Sequence, residues 1–196
     1  MKTLSLFLAS AGLLGSLTAC TDGNSDSVEN AQKVNEARNE ANLPENAEKK
    51  ADYDSEFLTK AASGGMLEVE LGKLVLQRGT RADAKAFAQQ MITDHSKANA
   101  ELMGLAQRKH ITLPTMMGND QQDVYKDVEE KTAANFDRVY IREMRQDHEE
   151  DIKLFTEAST KAADADIRAL AQKTVPVLQH HLEMVKKIEA DIKASK

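Results

Sequence analysis

From Asp54 to Ile192 apolar residues recur every three or four positions, the period of an amphipathic helix, with few β-branched runs and long stretches of Ala, Leu, Lys, Glu and Gln. Four long helices are predicted. The first covers 54–78 and is apolar on two sides, Leu58, Ala62, Met66, Val69 and Leu76 on one and Leu67, Leu71 and Leu74 on the other, so it should be among the most buried. Gly79 ends it, and Thr80 with Asp83 forms a capping-box pattern for a second helix reaching Lys109, whose stripe is Phe87, Met91, Ala98, Leu102 and Leu105. Pro114 and Gly118 then break the chain before a short helix over 119–131. A third long helix, 135–162, repeats Phe136, Tyr140, Met144, Phe155 and Ala158. Asp164 caps a fourth that runs to Ile192 with a kink at Pro176, where one internal hydrogen bond is lost. The turns after the first and third helices are too short for anything but antiparallel neighbours. The fold class is therefore all-α, an antiparallel four-helix bundle over residues 53–194, with a short extra helix in the connection between the second and third helices.

The chain ahead of the bundle reads differently. Residues 1–19 carry one charge, Lys2, then an apolar stretch from Leu4 to Leu17 that is shorter than the roughly 20 residues a membrane span needs, which is the pattern of a secretory signal. Leu17-Thr-Ala-Cys20 resembles the lipobox of bacterial lipoproteins, in which cleavage precedes the cysteine and the cysteine is acylated. That resemblance implies lipidation at Cys20, a membrane partner through the lipid anchor, and a cell-envelope location. Thr21, not Asp, follows the cysteine, which by resemblance to the sorting rule of enteric lipoproteins favours the outer membrane with the domain in the periplasm. A lone cysteine excludes an internal disulfide. Residues 20–52 are Asn, Ser, Asp, Glu, Ala and Lys with few sizeable apolar groups, so they are expected to be a flexible acidic tether with at most transient helix between Ser27 and Ala41. The net charge is −6, and no basic patch interleaved with aromatics occurs, which argues against nucleic acid as a partner.

Candidate chemistry sits inside the helical stripes. Met91-Ile-Thr-Asp94-His95 and Met144-Arg-Gln-Asp147-His148 form a partial internal repeat, and His181 falls among Val177, Leu178, Leu182 and Val185. Counting about 1.5 Å per residue from the turns at one end of the bundle places His95 and His148 about 22 Å along their helices and His181 about 27 Å. The three can meet. At that level the first helix offers Ser63, Gly64 and Gly65, residues without bulk that would border a cavity for a small ligand, a water or an ion. Glu70, between the two apolar sides, is expected to be a buried, hydrogen-bonded carboxylate or, as the alternative, a ligand lining the same cavity, whereas Glu68, Lys73, Arg78, Glu149, Glu150 and Lys153 read as solvated.

The ordered set Phe57 to Leu74, Phe87-Ala-Gln-Gln-Met91, Asp94-His95, Phe136-Asp137-Arg-Val-Tyr140, Asp147-His148 and Pro176 to His181-Leu is similar to the domain-of-unknown-function 4142 family of bacterial envelope proteins. The resemblance spans about residues 53–190 and implies a ferritin-like helical bundle in the envelope. It brings no established activity.

Three readings of the polar constellation stay open at this point. In the plainest, His95, His148 and His181 are core imidazoles hydrogen-bonded to Asp94 or Asp147, with methionines filling gaps, in a structural or stress-related module. In the second, the three histidines with Met91, Met144 and Asp147 bind a metal; imidazole and thioether suit copper, imidazole and carboxylate suit zinc, and the Glu-x-x-His pairs of di-iron bundles are absent. In the third, the bundle binds a small molecule or protein partner beside Ser63, Gly64 and Gly65. An enzyme has the least support, since there is no thiol in the bundle, no Gly-x-Ser-x-Gly and no phosphate-binding glycine loop.

Overall fold

A computed structural model describes residues 25–195; the signal segment and Cys20 lie outside the described residues. Within them the chain forms six α-helices and no strand: α1 Ser27–Asn42, α2 Glu45–Arg78, α3 Ala82–Arg108, α4 Asn119–Glu129, α5 Ala133–Lys161 and α6 Ala165–Ala194. No helix among these residues is long and apolar enough to cross a membrane.

The four long helices close a ring in which α2 packs on α3, α3 on α6, α6 on α5 and α5 on α2. Its interior divides into two apolar clusters. One joins Leu67, Leu71 and Val75 of α2 to Phe87 and Met91 of α3, Phe136, Tyr140 and Met144 of α5 and Val185 of α6. The other joins Phe57 and Leu58 of α2 to Leu102 and Leu105 of α3, Phe155 of α5 and Ile167 and Leu178 of α6. Each fully buried Leu, Ile, Phe or Met side chain contributes about 1.5–3 kcal/mol of burial free energy, so the two clusters hold the bundle from both ends.

Two buried aspartates fasten the turns. Asp54, early in α2, accepts backbone N–H groups from Ala163 and Asp164, both at 2.8 Å, in the α5–α6 turn. Asp137, early in α5, does the same for the α2–α3 turn: its Oδ2 accepts from Thr80 N at 2.9 Å, Thr80 Oγ1 at 2.6 Å and Arg81 N at 2.9 Å. The expected Thr80–Asp83 capping box is therefore not formed. The residue preceding α3 is Arg81, which supplies no side-chain cap, and Thr80 is turned toward Asp137. Asp164 does cap α6, accepting from Asp166 N and Ile167 N.

The expected tether is the clearest departure. Residues 27–42 form helix α1, and α2 begins at Glu45, nine residues before its predicted start. Polar groups hold α1, which is why its composition resembles a linker. Asn35 exchanges two hydrogen bonds with the backbone of Thr112, at 2.9 and 2.8 Å, Asn39 donates to Asp52 at 2.8 Å, and Asp26 caps α1 while also accepting from Asn119 N at the start of α4.

Candidate metal centre

Between the two apolar clusters each long helix contributes one polar side chain: Glu68 from α2, His95 from α3, His148 from α5 and His181 from α6. They are 1%, 6%, 0% and 0% exposed. The imidazole ring centroids lie 5.2–5.6 Å apart, and the Phe87 ring, 6.4 Å from those of His148 and His181, closes one side.

Each imidazole is anchored through one nitrogen and presents the other to the centre. His148 Nδ1 donates to the Met144 carbonyl at 2.9 Å, one helical turn back. His181 Nε2 donates to Asp94 Oδ2 at 2.9 Å, and His95 Nδ1 contacts Glu68 Oε2. The three remaining nitrogens, His95 Nε2, His148 Nε2 and His181 Nδ1, face one another, His181 Nδ1 standing 3.3 Å from His95 and 3.4 Å from His148. The outward nitrogens of His148 and His181 are committed as N–H donors, so their inward nitrogens carry lone pairs; His95 joins them when its Nδ1 donates to an ionised Glu68. Fixing a ring through its far nitrogen in this way is how proteins orient metal-binding histidines. Glu68 Oε1, 3.5 Å from His148 Nε2, has no hydrogen-bond partner although it is buried.

Burial sets the charge states. Desolvation pushes His95 down to about 4 and His148 to about 3, the latter helped by the neighbouring imidazoles, and it lowers His181 against the raising effect of Asp94. All three rings are therefore neutral at pH 7. Burial also lifts Glu68, Asp147 and Asp151 well above the carboxylate range, and their mutual repulsion adds to it.

This order of side chains along α2, α3, α5 and α6 falls within one recognised sequence family, whose profile matches residues 39–188. The chain belongs to the family described as domain of unknown function DUF4142. The DUF4142 match begins near the end of α1 and takes in all four residues of the centre. None of the curated proteins matches the chain. Among solved structures it is similar to a DUF305 fragment from Deinococcus radiodurans, with a TM-score of 0.63 and 10% identity over 71% of this chain and 96% of that one. At that identity the likeness is one of fold.

The other sequence candidates fall in several places. Asp147 lies beside the centre, its Oδ2 3.6 Å from His148 Nδ1, and forms a second close group with Glu68 and His148. Met91 and Met144 are fully buried in the first apolar cluster one turn before their histidines. Ser63 is tied up, accepting from Gly118 N at 2.8 Å and donating to Gln121 Oε1 at 2.8 Å. The gap expected at Gly65 is filled, because a Cβ there would come within 2.0 Å of Asn99 Oδ1; Gly64 instead faces the Asp151 carboxylate. Glu70 and Glu68 exchange the roles expected of them. Glu70 is half-exposed and pairs with Lys73 at 2.7 Å, whereas Glu68, expected in solvent, is the carboxylate inside the ring. Two positions along a helix is about 200° of rotation, so an error of this kind moves a side chain to the opposite face.

Proposed function

We propose that this protein is an envelope metal-binding bundle that holds one zinc or copper ion through His95 Nε2, His148 Nε2 and His181 Nδ1, with Glu68 facing the fourth position. The observation that carries this is the spacing of the inward nitrogens. Donors about 2.0–2.1 Å from a tetrahedral ion stand about 3.3 Å from one another, and His181 Nδ1 is 3.3 and 3.4 Å from its two neighbours. With His95 Nδ1 donating to an ionised Glu68, three lone pairs converge at that distance, and a cation between them relieves their repulsion. A purely structural cluster would direct at least one N–H into the centre. The neutral rings, their outward anchors and the unpaired Glu68 Oε1 all suit a borderline divalent ion, and neutral imidazole is the commonest metal-ligand side chain.

The envelope part of the proposal rests on residues 1–20 and their resemblance to lipoprotein signals, with Cys20 as the lipidated residue and the periplasmic side of the outer membrane as the location. We further read the ring of α2, α3, α5 and α6 as a bundle of ferritin type, without the di-iron motif.

The test is elemental analysis of the protein purified from its native envelope, followed by titration of the stripped protein with Zn(II), Cu(I) and Cu(II). One tightly held equivalent of zinc or copper, lost in His181→Ala, is expected. Sub-stoichiometric metal with affinity of micromolar or weaker for every ion would overturn the assignment, and a co-purifying organic ligand in its place would point to small-molecule binding.

A further inference from the structure

Beside the imidazoles, α1, α2, α4 and α5 enclose a cavity of about 360 Å³ whose wall includes Asp26, Asp120, Glu150, Gly64, Asp147 and Asp151. Its one basic group, Lys60, is turned to Glu56 at 2.6 Å. Asp147 and Asp151 lie one turn apart on α5, so both carboxyls leave the same face of that helix. Behind them stands Glu68, 1% exposed, and donor atoms of Glu68, Asp147 and His148 lie within 4.8 Å of one another. Two oxygens in this group, Glu68 Oε1 and Asp147 Oδ2, are enclosed and have no hydrogen-bond partner. Leaving such atoms unsatisfied is costly, and a shared cation is the partner that two facing carboxyl groups can both accept. Gly64 lines the same wall, and a Cβ there would lie 3.8 and 4.0 Å from the Asp151 oxygens.

We propose that Glu68, Asp147 and Asp151 form a second cation subsite, built from oxygen donors, next to the three-histidine site, and that the acid-walled cavity is its opening to solvent. Oxygen donors select hard ions such as Mn(II), whereas the imidazoles select zinc or copper. The two sites therefore take different ions. Glu68 faces both and couples them. The subsite rests on the three-histidine reading for its neighbour and shares Glu68 with it; Asp147 and Asp151 are its own donors.

The experiment uses the full chain, stripped and then loaded with one equivalent of Zn(II), and follows Mn(II) by the loss of its free-ion electron paramagnetic resonance signal. We expect one bound Mn(II) per chain in the wild type, a loss of affinity of at least about tenfold in Asp147→Asn and Asp151→Asn, and retention of the zinc in both variants. His181→Gln, which touches none of the three carboxyls, should lose zinc and keep Mn(II). Circular dichroism of each variant establishes that it is folded. Zinc binding with no Mn(II), or Mn(II) binding unchanged by both aspartate substitutions, overturns the second subsite and leaves the three-histidine reading standing. Failure to bind any ion overturns both.

Discussion

Two sets of buried acids in this bundle are built in opposite ways. Asp54 and Asp137 each reach across to a turn and receive backbone N–H groups from two consecutive residues, so their burial is offset by hydrogen bonds that also fix where the helices turn. Glu68 and Asp147, at mid-height, receive no backbone N–H group; each leaves an enclosed oxygen without a partner, as Asp137 does at Oδ1, but theirs stand beside three imidazoles whose free nitrogens face inward. The contrast separates acids that hold the fold from acids that wait on something outside it. A buried acid in a helical bundle is informative mainly through whether backbone N–H groups converge on it.

If this division is correct, the largest loss of stability belongs to the turns. Asp137→Ala strands the N–H groups of Thr80 and Arg81 and should cost about 3 kcal/mol, equally with and without metal, in urea unfolding. Equal sensitivity at mid-height in metal-free protein would erase the distinction. The next largest effect is the stabilisation by zinc, about 2.7 kcal/mol when free metal is 100 times its dissociation constant. His148→Gln should abolish that increment in thermal unfolding, whereas Asp54→Ala should lower stability and keep it.

A third test uses pH on metal-free protein. The folded state holds His148 at about 3 against an ordinary value of 6.5. Between those values the unfolded chain takes up a proton that the folded one refuses. The contribution is thus fully present above pH 6.5 and is lost as pH falls toward 3, by up to about 1.4 kcal/mol per unit. His148→Gln should flatten the decline over that window; an unchanged slope would contradict a dry, neutral imidazole. A fourth test is Glu68→Gln without metal. The folded state raises this carboxyl, so its contribution is full below the unfolded value and disappears as pH rises. Removing the acid should stabilise the metal-free protein at pH 7.5, and the gain should shrink as pH falls toward the unfolded value. A large loss would make Glu68 a structural acid like Asp137.

Helical periodicity carried most of the long elements, because Leu, Phe and Ile at three- and four-residue intervals leave one way to bury a helix. Counting from the turns also brought His95, His148 and His181 to one level, since rise per residue is nearly constant. Glu68 and α1 were hidden for different reasons. Glu68 lies on a helix buried on nearly all sides, where no stripe distinguishes an inward charge from an outward one. The attachment of α1 is made by Asn35, Asn39 and Asp26, residue types that also compose disordered linkers. The Met-x-x-Asp-His repeat was also a misleading guide to symmetry. The structural repeat pairs the α2–α3 hairpin with the α5–α6 hairpin: Asp54 with Asp137, Arg78 with Lys161, and Ala82 with Ala165, each 83 positions apart. That repeat is carried by polarity and turn position, with too few identities to see along the chain.

Three inward imidazole nitrogens define the centre, and X-ray absorption at the zinc edge reads them directly. Protein loaded with one equivalent should show three nitrogen neighbours at about 2.0 Å with the multiple scattering of imidazole, and one light-atom oxygen. A shell of oxygens alone, or the same spectrum from a triple variant with Gln at positions 95, 148 and 181, would place the ion elsewhere and contradict the assignment.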